Sequence, residues 1–213
     1  MKEIVIPTEV IYEFQVETPI VDFYLEKIKN SPINYQEIGE ESTGLAHSLL
    51  IGYPIPYYKE LFDVLHENLN KVGTKVLNQN FKICDAWVTC SKFGCQSGVH
   101  DHGYSVLSGL LYLDDSNTFT EFYYTSEFFR KHKLMFGNSI SVLEENKKIQ
   151  VKPVKGKLLI WPSYIQHKVS VHKEHQNRYT LAFNAFVDGI ISKATTGKLS
   201  CNTNSPIYLE DKL

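Results

Sequence analysis

Apolar residues recur at two different spacings along this chain, and the change between them falls near residue 80. Before it the spacing is helical. Residues 18–30 read as one helix, with Thr18 as N-cap, Pro19 at the first helical position and an end at Asn30 ahead of Pro32. Residues 56–78 read as a second helix, because Leu61, Val64, Leu65, Leu69 and Val72 fall on one stripe. His66 lies on that helix, where an ordinary half-exposed histidine is expected rather than a ligand. A strand is expected ahead of both, at residues 9–16, where the alternation is adequate.

From Phe81 onward the texture is that of strands. "FKICDAWVTCSKFG", "SVLSGLLYLD", "TFTEFYYT", "KIQVKPV", "GKLLIWPSYIQHKVSV" and "RYTLAFNAFVDGI" are short, β-branched or aromatic, and bounded by Gly, Asn, Asp or Pro. "DDSN" at 114–117 reads as a hairpin turn. Strands without crossover helices between them point to an antiparallel sandwich or barrel. Residues 126–150 are longer than an ordinary hairpin loop and are expected to cover something, and the polar tail from Ser192 is expected at the periphery. The expectation is one structural domain, mainly β with N-terminal helices. Residues 1–80 pack on a β-core of 81–191, and 192–213 form a tail.

Composition narrows the partners. With 213 residues, 43% hydrophobic and 13% aromatic, the chain is long and apolar enough for a packed core. Its 22 basic and 24 acidic side chains nearly cancel, so no broad basic face is available for neutralising nucleic-acid phosphates. No segment approaches the roughly 20 apolar residues of a membrane span, and the start carries no secretory-signal pattern. Cys84, Cys90, Cys95 and Cys201 include no CxxC pair, so reduced thiols in a cytoplasmic protein are expected. A zinc site through Cys90 and Cys95 lacks partners at the usual spacing.

The candidate chemistry lies in the histidines. His100 and His102 flank Asp101, and on a strand they would share a face while Asp101 takes the other. Cα atoms about 6.5–7 Å apart let two imidazoles converge on one ion. Taken alone, the pair reads at least as readily as two surface histidines near a loop. Downstream, His167 follows a strand broken at Pro162, and Arg178 opens "RYTLAFNAF". Alternation there puts Arg178, Thr180, Ala182 and Asn184 on one face and Tyr179, Leu181, Phe183 and Ala185 on the other. A small, polar face with one fixed cation suits a pocket for a small anion, and arginine suits bidentate carboxylate recognition. His172 and His175, in the polar turn "HKEHQN", are expected in solvent; His132 is left without a role, and His47 has no evident partner.

The series H-x-H, SGLLYL, G-x-L-x-x-W-P-S-x-x-x-H-x-V and R-x-T-x-A-F-N resembles the Fe(II)/2-oxoglutarate-dependent oxygenases, over about residues 80–188. Within them it is most similar to a subgroup of oxygenases found in phages and marine bacteria. The resemblance implies a double-stranded β-helix, a cupin-like jelly roll with helices packed outside. It makes His100 and His167 the two iron-binding histidines, and Arg178 the arginine that holds the far carboxylate of 2-oxoglutarate. Thr180 matches the hydroxyl of the R-x-S pattern, and Tyr112 is a second candidate for that carboxylate.

The departure is at position 102, where most of the superfamily has aspartate in an H-x-D pattern. His102 fills the third ligand place here, with Glu121 as an alternative from a neighbouring strand. The implied cofactors are Fe(II), 2-oxoglutarate as cosubstrate and O2. The implied reaction is decarboxylation of 2-oxoglutarate to succinate and carbon dioxide, coupled to oxidation of a substrate. Two other readings stay open: a three-histidine cupin-like dioxygenase that does not use 2-oxoglutarate, and a metal-stabilised binding protein without turnover. Nothing in the sequence chooses between a protein side chain, a lipid, a nucleotide and a small metabolite as substrate.

Overall fold

The computed structural model describes residues 10–38, 49–103, 105–123, 148–188 and 208–209. In chain order its elements are β1 (Tyr12–Gln15), α1 (Thr18–Asn30), β2 (Asn34–Ile38), β3 (Leu49–Tyr53), β4 (Ile55–Pro56), α2 (Lys59–Leu77), β5 (Phe81–Ser91) and β6 (Leu107–Tyr112). They continue with β7 (Thr120–Tyr123), β8 (Lys148–Val151), β9 (Lys157–Pro162), β10 (His167–Val169), β11 (Arg178–Val187) and β12 (Tyr208–Leu209).

Both expected helices are present, with small shifts at their ends. Glu17, not Thr18, occupies the N-cap of α1, because Thr18 already has helical backbone and Pro19 sits within the first turn. The buried side of α1 is Val21, Tyr24, Leu25 and Ile28. That of α2 is Leu61, Phe62, Leu65, Leu69 and Val72, and Asn78, with φ at 52° in the left-handed region, ends it. His66 is half-buried on α2, its Nδ1 2.8 Å from the Phe62 carbonyl, as an ordinary helix histidine would be.

Seven strands form the large sheet, in the order β1-β9-β6-β11-β5-β3-β2, and three form a smaller one, β10-β7-β8. A single antiparallel bridge between His100 and His167 carries the smaller sheet on past β10. One apolar cluster joins the helices to the outer face of the large sheet through Ile83, Val88, Leu111, Leu158, Leu181 and Phe183. A second lies between the sheets and contains Leu110, Tyr112, Phe122, Leu159, Trp161 and Ala182. The two-faced reading of β11 therefore holds: Leu181, Phe183 and Ala185 pack toward the helices, while Arg178, Thr180, Ala182 and Asn184 point into the space between the sheets.

Three expectations change. β2 and β3 extend the large sheet where no strand was expected, because their pattern alternates poorly and Gly52 is needed for contact with Ile33 and Tyr35. "DDSN" is not a hairpin turn, since β6 and β7 belong to different sheets and the turn carries the chain across. Most of 126–150 and of the tail lies outside the described residues; within the tail, β12 pairs in parallel with β4.

Gly109 in β6 sits directly opposite Phe183, and a Cβ built there would lie 2.0 Å from that ring. Overpacking of this kind costs on the order of 1–3 kcal/mol or more. Gly109→Ala should lower the unfolding free energy by that amount, read from a lower urea midpoint, and adding Phe183→Leu should recover part of it. An unchanged midpoint in the single variant would contradict this packing.

Candidate metal and cosubstrate site

The two sheets enclose a cavity of about 420 Å³. On the smaller sheet's side three imidazoles converge. His100 is exposed, His102 half-buried and His167 buried, and their ligand atoms all lie within 4.8 Å of one another. The Nε2 atoms of His102 and His167 are 3.2 Å apart, a separation suited to sharing one ion at roughly 2.0–2.2 Å from each. His100 and His167 are held from behind, their Nδ1 atoms 2.9 Å from the Gly98 carbonyl and 3.0 Å from the Ile165 carbonyl. A carbonyl at Nδ1 takes the ring N–H and leaves Nε2 with a lone pair for a metal. Trp87 lies beside the His102 ring and Trp161 edge-on to His167, with centroids 5.7 and 5.0 Å apart.

The strand register explains why these groups meet. His167 pairs with Phe122, and Lys168 with Glu121, so Glu121 takes the face of the smaller sheet opposite His167. Its carboxylate accepts hydrogen bonds from Tyr123, Lys148 and Gln150 at 2.8, 2.9 and 2.7 Å. Burial alone would raise its pKa, but these partners bring it down to about 2. Glu121 is therefore committed to Lys148 and Lys168 and does not join the histidines, which excludes it as the third ligand.

At the other end of the cavity the large sheet presents matched rungs. Thr180 is flanked by Thr89 and Tyr112, Ala182 by Trp87 and Leu110, and Asn184 by Asp85 and Ser108. Arg178 begins this series opposite Ser91. Its side chain is 1% exposed, and among the described residues Nε, Nη1 and Nη2 all lack a hydrogen-bond partner, as does the buried Ser91 hydroxyl. The guanidinium stands over the Tyr112 ring, 5.5 Å from its centroid. Burial presses its pKa down, yet an arginine stays charged. Five buried donors with no acceptor among the described residues are able to receive an anion. The Tyr112 hydroxyl, pushed up to about 12 by burial, donates to Thr120 at 2.7 Å, and the Thr89 and Thr180 hydroxyls bond each other.

Over residues 85–184 the chain matches the family model described as "Putative 2OG-Fe(II) oxygenase". Over those residues the chain is similar to the 2OG-Fe(II) oxygenases. Solved structures share the fold at low identity. A prolyl hydroxylase of Trichoplax adhaerens, in complex with a peptide of hypoxia inducible factor, is 13% identical, with 83% of each chain covered and a TM-score of 0.59. HygX of Streptomyces hygroscopicus, with nickel and 2-oxoglutarate bound, is 11% identical, with 83% of this chain and 82% of that one covered and a TM-score of 0.56. SnoK, a carbocyclase from nogalamycin biosynthesis, is 11% identical, with 85% and 81% covered and a TM-score of 0.59. No curated protein matches the chain.

Several cavity residues were not singled out from the sequence. Thr89, Trp87 and Asp85 line the cavity by the same alternation that turns Arg178 and Ser91 inward, a parity visible in "FKICDAWVTCS" before the bulge between Asn184 and Ala185. His172 is not in solvent. It is 1% exposed, with Nδ1 2.6 Å from the Thr118 hydroxyl and Nε2 2.7 Å from the Gln176 carbonyl. The polar surroundings "HKEHQN" disguise it, because only the folded loop brings Thr118 and Cys95 against it. His175 is exposed, with its ring stacked on Phe93.

Two predictions follow from this geometry. In metal-free protein, burial and then the neighbouring His100 hold His167 down at about 3 and His102 at about 4. Unfolded histidine titrates near 6.5, so between that pH and about 4 the unfolded chain takes up protons that the folded chain refuses. Glu121 adds a further loss below its ordinary 4.5. Asp114, raised to about 6 by burial, opposes them with a single proton. Chelator-treated protein should therefore have a lower urea midpoint at pH 5 than at pH 7; an equal or higher one would contradict the burial of these imidazoles. Separately, His167→Ala and His102→Leu should lose bound divalent metal in equilibrium dialysis, whereas Glu121→Gln should keep it.

Proposed function

We propose that this protein is an Fe(II)- and 2-oxoglutarate-dependent dioxygenase in which His100, His102 and His167 hold the iron and Arg178 holds the cosubstrate. The observation that carries the reading is the buried Arg178 guanidinium, with three unpartnered nitrogens on the same strand face that lines the histidine cavity. A three-histidine dioxygenase without 2-oxoglutarate, or a metal-stabilised binding protein, would leave that cation without an anion. The H-x-H pattern at 100–102 supports a place in the subgroup found in phages and marine bacteria.

Each residue then has a stated task. The three imidazoles would supply neutral nitrogen ligands to the metal. With His102 in place of aspartate, the bound metal keeps one more unit of positive charge. Arg178 pairs with the distal carboxylate of the dianion, with Thr180 and Ser91 supplying hydroxyls beside it. Tyr112 orients the guanidinium from below with its ring while its hydroxyl stays on Thr120. Phe122 and Trp161 close the apolar wall that keeps water from the metal. When bound, the metal and cosubstrate supply the oxidising chemistry: O2 is consumed and 2-oxoglutarate becomes succinate and carbon dioxide. The thiols of Cys90 and Cys95, in no disulfide among the described residues, support a reducing, cytoplasmic setting, and no described helix is long and apolar enough to cross a membrane.

Purified protein given Fe(II), 2-oxoglutarate and O2 should release succinate slowly even without substrate, and protein without iron should not. Arg178→Met tests the carrying observation directly. Losing a desolvated charge-assisted pair typically costs on the order of 2–5 kcal/mol, so 2-oxoglutarate affinity should fall by about tenfold or more with metal content retained. Replacing a buried, unpaired cation by an apolar side chain is often neutral or stabilising, so the melting temperature of ligand-free Arg178→Met should not drop. Undiminished 2-oxoglutarate binding in that variant would remove the reading's main support.

A further inference from the structure

The inner rungs of the large sheet change character from one end of the cavity to the other. At the Arg178 end the side chains are sealed, with Ser91 at 0% and Arg178 at 1% exposure. At the opposite end Asp85 and Asn184 are half-buried, and Tyr53, which also lines the cavity, is 39% exposed. Trp87 stands between the ends, beside the His102 ring, so whatever rests on Trp87 lies next to the histidine cluster.

Asp85 is the one acidic side chain among the described residues lining the cavity. It has no ion-pair partner among the described residues, and burial raises its carboxyl pKa against only the Ala86 amide. The neighbouring Asn184 is a neutral amide and brings no countercharge; its side-chain oxygen accepts from Ser105 and Ser108, at 3.3 and 3.0 Å. Tyr53 is close enough that, after burial, the charge of Asp85 adds to the upward push on its hydroxyl. A half-buried carboxylate that lines one cavity with two aromatic rings, and has no cation of its own among the described residues, is the complement of an organic cation: the carboxylate supplies charge and the rings supply cation–π attraction.

We propose that this open end is the substrate subsite and that it selects an organic cation, an ammonium or guanidinium group held by Asp85 between Trp87 and Tyr53. The inference rests on the oxygenase reading for the metal beside it; the cation preference stands on Asp85, Trp87 and Tyr53. It places the anion-binding and cation-binding ends of one cavity on opposite sides of the histidine cluster. A dianionic cosubstrate is thereby drawn to Arg178 and repelled by Asp85, and a cationic substrate has the reverse preference. The same group occurs in free amines and in lysine or arginine side chains of proteins, and the chemistry of the subsite is common to both.

The test is calorimetric titration of the full chain loaded with Mn(II) and 2-oxoglutarate. The probes, all with the α-amine acetylated, are lysine amide, arginine amide and a blocked lysine pentapeptide, against the neutral isosteres norleucine amide and citrulline amide. Cationic probes should bind about tenfold or more tighter than their neutral isosteres. Asp85→Asn should erase that preference and Asp85→Glu should keep it, while Trp87→Leu should weaken every cationic probe. Tighter binding of the pentapeptide assigns the cation to a protein side chain, and tighter binding of the free amides assigns it to a metabolite. Equal affinity of lysine amide and norleucine amide for the wild-type protein overturns the proposal whatever the variants do. So does the absence of binding by all three cations, or a preference that survives Asp85→Asn. If the cation preference holds but 2-oxoglutarate neither binds nor yields succinate with Fe(II), the oxygenase reading fails and the cation site remains. If 2-oxoglutarate turns over and the cations do not bind, only this inference fails.

Discussion

β11 is hydrogen-bonded along its length to β5 on one side and along much of it to β6 on the other, and most of the site depends on that double pairing. A strand held on both edges cannot slip by one residue without moving every side chain to the wrong face. Leu181, Phe183 and Ala185 anchor the outer face in the apolar cluster shared with the helices. The register thus locked sends Arg178, Thr180 and Asn184 inward. Gly109 takes part in the same lock, since only a residue without a side chain lets β6 lie under the Phe183 ring.

The inward face carries a cost that the outward face covers. A guanidinium sealed from water with no anion is a poor choice for stability alone. The Tyr112 ring relieves part of the cost, while Asp114 and Glu174 act on the cation only from a distance. The three histidines show the same economy: burial keeps His102 and His167 neutral at ordinary pH, which is the form that binds a metal. Charge and lone pairs are thus held unspent inside an apolar shell, where an anion and a metal ion gain most from them.

The smaller sheet divides its polar groups by the same alternation. Toward the cavity it offers His167 and Phe122; on its other face Glu121 gathers Lys148, Lys168, Gln150 and Tyr123. A carboxylate so near the histidines in sequence order is kept from the metal by one residue of register. That is why a neutral third imidazole, and not a substitute carboxylate, completes the cluster.

Local pattern was enough for the elements whose neighbours repeat their own periodicity. α1, α2, β5, β6 and β11 were legible because helical or alternating burial is written into consecutive residues, and the i, i+2 placing of His100 and His102 needed no partner to be seen. The order of the motifs also pointed to Arg178 and Thr180. What the sequence could not hold was anything decided by pairing between distant segments. β2 and β3 become strands because β5 offers an edge, "DDSN" becomes a crossing because the next strand joins the other sheet, and Glu121 is turned away by its register with Lys168. His172 lies in a polar stretch that local hydropathy assigns to solvent, yet Thr118 and the Cys95 carbonyl reach it only once the loops close. Side-chain identity and spacing determine which face a residue takes within its own strand, whereas burial and the choice of partner depend on which strand lies alongside, and that is settled only by the folded chain.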